Sequence, residues 1–192
     1  MKQKSKSQKS KVESKTIRPS TIGWDSANGS ETDFEPAPIL ILGLGNEMLK
    51  DDAVGIHVAE ELRGKLPEEV EVRSTSSFGL SLLDELIDRE KVLVIDSYVP
   101  REFVGSEIQE CNLDEVGEAE STSPHFVGLG EIREVMRKLG LSFPCEVHIL
   151  AIPVSDPTTF SYEMTPAVAA LVDEATARAR RVVKAWLPVC AA

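Results

Sequence analysis

From Ile39 onward the chain alternates short, unbroken apolar runs with longer stretches whose apolar residues recur at helical spacing. Ile39–Leu44 (ILILGL) is apolar throughout and closes on a glycine turn, the pattern of a strand buried on both faces of a parallel sheet. Ala53–Leu66 places Val54, Val58, Leu62 and Leu66 four apart, a helical stripe stopped at Pro67. Val70–Thr75 predicts a second strand, Leu80–Ile87 a short helix, and Lys91–Ser97 (KVLVIDS) a third buried strand. Glu107–Leu113 is less apolar and predicts a strand at a sheet edge. Ser123-Pro124 then opens a helix, serine as N-cap and proline at the first helical position, with Ile132, Val135, Met136 and Leu139 as its core stripe. Glu146–Val154 predicts a fifth strand. Thr165-Pro166 repeats the start signal for a last helix striped by Val168, Leu171, Val172, Ala175, Ala179 and Val182. Strands and helices in this alternation predict an α/β fold, a three-layer α/β/α sandwich around a mostly parallel, roughly five-stranded twisted sheet.

Residues 1–37 break the pattern. They are rich in Lys, Ser, Thr and Gly, lack apolar periodicity, and end at Pro36 and Pro38, so they read as a disordered basic and polar extension ahead of one α/β domain over 38–192. The net charge of −11 divides accordingly. Residues 1–18 hold seven Lys/Arg and one Glu, a balance of +6, and the remainder holds 14 basic and 31 acidic residues, 14 − 31 = −17. A body that acidic is a poor nucleic-acid binder. No run approaches the about 18–20 apolar residues of a membrane span, and no hydrophobic region follows the basic N-terminus as in a secretory signal. Cys111, Cys145 and Cys190 are too scattered for a disulfide framework or a cysteine zinc site, and reduced thiols in a cytoplasm are expected.

The candidate chemistry gathers at predicted strand ends. GLGNEMLKDD, Gly43 to Asp52, starts as GxG after a strand, but Met48 stands where a dinucleotide fingerprint has its third glycine. Asp51 and Asp52 would also put carboxylates at the helix N-terminus that a pyrophosphate uses. One aspartate suffices to cap the helix, and Asp51 is assigned that duty, which leaves Asp52 available. Asp96 ends the third strand, and strand ends of this kind meet ligands at the carboxyl edge of a parallel sheet. His125 lies one residue inside a predicted helix, whose positive end keeps an imidazole neutral and fit to bind a metal. Asp52, Asp96 and His125 form a plausible three-ligand set for a borderline divalent ion such as nickel or zinc. His57, inside the first helix, and His148, inside the fifth strand, are expected to be packing residues. Neither a GxSxG elbow nor an HExxH motif is present.

GLGNEMLKDDAVG, KVLVIDS and SPHFVGLGEI, in this order, resemble the hydrogenase maturation proteases, with further support from GLSLLDEL and MTPAVAALV. The resemblance runs from Ile39 to about Trp186. It implies an endopeptidase that trims the C-terminus of a nickel–iron hydrogenase large-subunit precursor after nickel insertion. It further implies that Asp52, Asp96 and His125 recognise the bound nickel and serve as the catalytic residues, in aspartic-type or metal-assisted hydrolysis. The nickel comes with the substrate, and zinc or cadmium are candidate surrogates in vitro. Many relatives carry Asp-Gly-Gly-Thr after the second strand, where this chain has Ser74-Thr75-Ser76-Ser77. A monomer without nucleic-acid or membrane partners is expected. The alternatives are a non-catalytic, metal-sensing chaperone of the large subunit and a nucleotide-binding α/β domain.

Overall fold

The computed structural model describes residues 22–23, 32–33, 36–103, 106–115 and 124–187, the first two pairs and residues 124–127 as backbone only. The chain divides into two units, Met1–Glu35 and Pro36–Ala192. In the first, Ile22–Gly23 and Thr32–Asp33 pair as antiparallel two-residue strands; the rest of that unit lies outside the described residues.

The second unit is built on five strands, β1 (Ile39–Leu44), β2 (Val70–Thr75), β3 (Lys91–Tyr98), β4 (Gln109–Asn112) and β5 (Glu146–Pro153). They lie in the order β2-β1-β3-β5-β4, the first four parallel and β4 antiparallel at the edge. The helices are α1 (Val54–Leu62), α2 (Leu83–Leu86), α3 (Pro124–Leu139), α4 (Pro166–Ala169) and α5 (Val172–Trp186). Strand alternation sends Ile39, Ile41, Leu93 and Ile95 to one face, where they pack with Val54, Val58 and Leu62 of α1 and Ala175, Ala179 and Val183 of α5. Leu40, Leu42, Val92 and Val94 face the other way, against Leu86 of α2 and Leu129, Ile132 and Met136 of α3. With both faces covered, the strands read as unbroken apolar runs, each fully buried Leu or Ile side chain stabilising by roughly 1.5–3 kcal/mol. The result is the expected α/β/α sandwich. Among the described residues, no helix is long and apolar enough to cross a membrane.

Several local expectations need correction. The first helix is shorter than its stripe: a 3-10 turn, Lys50–Ala53, precedes α1, and Leu66 lies beyond the end of α1. His57 is exposed and is not a packing residue; it shares the outer face of α1 with Glu60 and Glu61, three and four residues on. His148 does pack, half-buried and edge-on to Trp186 at 6.5 Å. The last helix is two, with Thr165 capping and Pro166 opening α4 before a turn at Ala170–Leu171 restarts it as α5. Leu139, the final residue of α3, is exposed.

The glycines after β1 have a specific use. A Cβ on Gly55 of α1 would stand 2.3 Å from the Leu44 carbonyl oxygen and 2.4 Å from that of Ile95. The helix therefore lies directly on β1 and β3 at this point. Gly45 has φ +147°, and a Cβ there would stand 2.0 Å from the Asp52 carbonyl oxygen. The loop closes on its own 3-10 turn, so the close approach that glycine permits serves the chain itself. Gly45→Ala is expected to cost about 3 kcal/mol, or roughly 6–12 °C in Tm. Gly130→Ala, on α3 with nothing within 4 Å of the added carbon, should instead stabilise by up to about 1 kcal/mol. Thermal unfolding of the two variants checks this, and equal melting temperatures would refute it.

Candidate active site

The chain leaves β1 toward β2 on one side and later crosses to β3 on the other, so the strand order reverses between β1 and β3. In an open α/β sheet that reversal leaves a crevice at the carboxyl edge. Two of the three sequence-predicted site residues border it. Asp52 lies in the 3-10 turn after β1, and Asp96 is the sixth residue of β3. Asp96 is fully buried and Asp52 half-buried.

They meet through Ser97. Its backbone N–H donates to Asp96 Oδ1 at 2.7 Å, and its hydroxyl donates to Asp52 Oδ1 at 2.9 Å. Strand alternation explains how one residue reaches both. Asp96 belongs to the α3 face, in step with Val92 and Val94, whereas Ser97 is in step with Leu93 and Ile95 on the α1 face. The two carboxylates thus arrive from opposite layers and share Ser97 at the end of β3. The sequence offered no signal for this serine beyond its place after Asp96.

Asp51 is structural, but it does not cap the helix. The N-cap positions of the 3-10 turn and of α1 are Leu49 and Ala53, and neither helix start has a side-chain cap. The fully buried Asp51 carboxylate instead accepts five hydrogen bonds from the far side of the sequence. They come from Thr165 N at 2.7 Å, Thr165 Oγ1 at 3.0 Å, Asp156 N at 3.0 Å, Ser155 Oγ at 3.1 Å and Ser155 N at 3.4 Å. These donors compensate a charge that would otherwise be strongly disfavoured inside the protein. They also fasten the whole Ser155–Thr165 segment to the turn carrying Asp52. Lys50 adds an ion pair to Asp156 at 2.8 Å, and Leu49 forms a parallel bridge to Ser161. The Lys50 hydrogen bond, helped by Thr159, holds the Asp156 carboxyl down at about 2. Met48, Phe160 and Tyr162 are exposed on this strapped pair of loops, and Phe78 and Val99 follow β2 and β3 at the same edge.

His125 is the second residue of α3, and its side chain lies outside the described residues. The helix packs on the face to which Asp96 belongs, and a Cβ on Gly128 would stand 3.0 Å from the Gly79 Cα in the loop after β2. Among the described residues, no group of three His, Cys, Asp or Glu side chains is placed to hold a metal ion. Where the chain leaves β2, Thr75 Oγ1 accepts from Ser77 N at 3.0 Å, and Ser74 donates to Glu60 of α1 at 2.9 Å.

Two acidic side chains that share Ser97 thus lie at the switch point of a three-layer α/β fold. The profile of the hydrogenase maturation proteases matches residues 56–182. The chain is 27% identical over 141 residues to the hydrogenase 2 maturation protease of Escherichia coli K12, covering 71% of this chain and 85% of that one. Among solved structures it is similar to the hydrogenase maturating endopeptidase HybD from E. coli, with TM-score 0.63, 24% identity, and 76% of this chain and 91% of that one covered. It is also similar to the [NiFe] hydrogenase maturation protease HybD from Thermococcus kodakarensis, with TM-score 0.58, 25% identity, and 75% and 97% covered. The chain belongs to the hydrogenase maturation protease family, and it is therefore a hydrolase of peptide bonds that serves hydrogenase maturation.

The adjacent aspartates should separate on mutation. Asp51→Ala strands the donors of Ser155, Asp156 and Thr165 and is expected to cost about 3 kcal/mol, roughly 6–12 °C in Tm. Asp52→Ala is expected to shift Tm by no more than about 3 °C. Equal losses in calorimetric melts would contradict the division. Because pairing lowers the Asp156 pKa, the stability it contributes is complete above the unfolded value near ~3.9 and is lost as pH falls through about 2. In Lys50→Met, NMR titration should find the Asp156 carboxyl moved back up toward ~3.9; an unmoved titration would show that Lys50 is not the cause.

Proposed function

We propose that this protein removes the C-terminal extension of a nickel–iron hydrogenase large-subunit precursor after nickel insertion, with Asp52, Asp96 and His125 reading the substrate's nickel. The observation that carries this reading is the sharing of Ser97 by Asp52 and Asp96 at the switch point of the sheet. Carboxylates brought together repel one another and gain from a cation between them. A nickel-loaded precursor brings that cation, whereas an empty one does not, so the acidic site favours the loaded form. Oxygen and imidazole nitrogen donors suit a borderline divalent ion, and zinc or cadmium fit the same donors as surrogates.

The nickel belongs to the substrate, and it supplies polarisation of the scissile carbonyl. One of the two aspartates accepts a proton from the attacking water, and the departing amine takes up a proton as the C–N bond breaks. His125, in the first turn of α3, is the imidazole donor of the proposed set. The strapped loops hold Asp52 rigid while the precursor docks.

Mass spectrometry of a large-subunit precursor mixed with the full-length protein tests the reading. Loss of a C-terminal peptide is expected only when the precursor carries nickel. Asp52→Ala, Asp96→Ala and His125→Ala are each expected to slow trimming by at least about 100-fold. Binding without trimming would make the protein a chaperone, and trimming regardless of nickel would end the proposed recognition.

A further inference from the structure

We infer that Ser97 is a positioning residue that sets the two carboxylates as one preorganised cation cradle; this rests on the function proposed above. The geometry points to Ser97 because its two donors are divided between the two acids, N–H to Asp96 Oδ1 and O–H to Asp52 Oδ1. The backbone donor is fixed by the strand, in register with Ile152 of β5, and survives any side-chain substitution except proline. The hydroxyl is the replaceable half. Ser97 as a whole is only 6% exposed, so little bulk water stands ready to substitute for its hydroxyl.

A carboxylate on a turn has two side-chain torsions, and its plane decides whether an oxygen points at an arriving ion. Asp52 stands on a 3-10 turn rather than on the sheet, so its backbone alone does not orient it toward Asp96. The Ser97 hydroxyl makes that connection across the layers. It couples the plane of a carboxylate on the α1 side to a strand end that also carries the carboxylate of the α3 side. The consequence falls on recognition of the loaded substrate, since the empty precursor has no charge to read.

Ser97→Ala removes one hydrogen bond to a charged acceptor, and the affinity of the full-length protein for nickel-loaded precursor is expected to fall about tenfold. Affinity for the empty precursor is expected to stay unchanged. Ser97→Thr keeps a hydroxyl on a strand that tolerates β-branching and should restore loaded-precursor affinity to within about twofold. Calorimetric titration of each variant with loaded and empty precursor reads the affinities, and single-turnover trimming reads the rate constant separately. A Ser97→Ala protein as selective as wild type overturns the inference while leaving the proposed function standing. Equal losses on loaded and empty precursor, without rescue by threonine, also overturn it, because they mark a folding defect. A wild-type protein that does not distinguish loaded from empty precursor removes the proposed function itself, and the inference falls with it.

Discussion

The carboxyl edge of this molecule depends on a buried negative charge that is not part of the chemistry. Asp51 is surrounded by five donors drawn from Ser155, Asp156 and Thr165, more than 100 residues further along the chain. An ionised carboxylate inside a protein is tolerable only when so surrounded, and the arrangement is then worth more as a constraint than as a source of net stability. The constraint is specific: the turn after β1 and the segment after β5 hold a fixed relation, and Asp52 inherits it by peptide bond. The close approach of Gly45 to the Asp52 carbonyl fixes the same turn from the opposite side.

Much of the sheet was legible because parallel strands buried on both faces leave unbroken apolar runs, as in ILILGL and KVLVIDS. The place of Asp52 and Asp96 at the carboxyl edge was legible because strand ends and glycine turns mark that edge. The partners of Asp51 were not, since a cap and a long-range tether look identical in sequence: an aspartate before a helix. Thr165 caps α4 as its Thr-Pro pattern predicts, yet its hydroxyl also donates to Asp51, and local patterns carry no trace of a second partner. The exposure of His57 is legible in the helical period, because it shares its face with Glu60 and Glu61 rather than with Val54 and Val58. The break at Ala170–Leu171 falls where no Gly or Pro announces it.

The proposed site draws on both layers of the sheet rather than on one. Asp52 comes from the layer of α1, Asp96 faces the layer of α3, and His125 stands in the first turn of α3. A single side chain cannot span both layers, but adjacent residues of one strand point to both, and Asp96-Ser97 uses that alternation. The parallel sheet is thus more than a scaffold. Its pleat lets one dipeptide present a carboxylate to one layer and a hydroxyl to the other.

The tether between Asp51 and Thr165 also limits what can be exchanged. The Ser155–Thr165 segment carries Phe160 and Tyr162 on its outer side and the donors to Asp51 on its inner side. Its exposed half is free to vary without cost to the core, while its inner half must keep a hydroxyl at 165 and open backbone donors at 155 and 156. A loop transplanted from a relative would therefore fold here only if it brought those inner groups with it. Variation and invariance are interleaved along a single stretch of chain, residue by residue, according to which side of the strap each one faces.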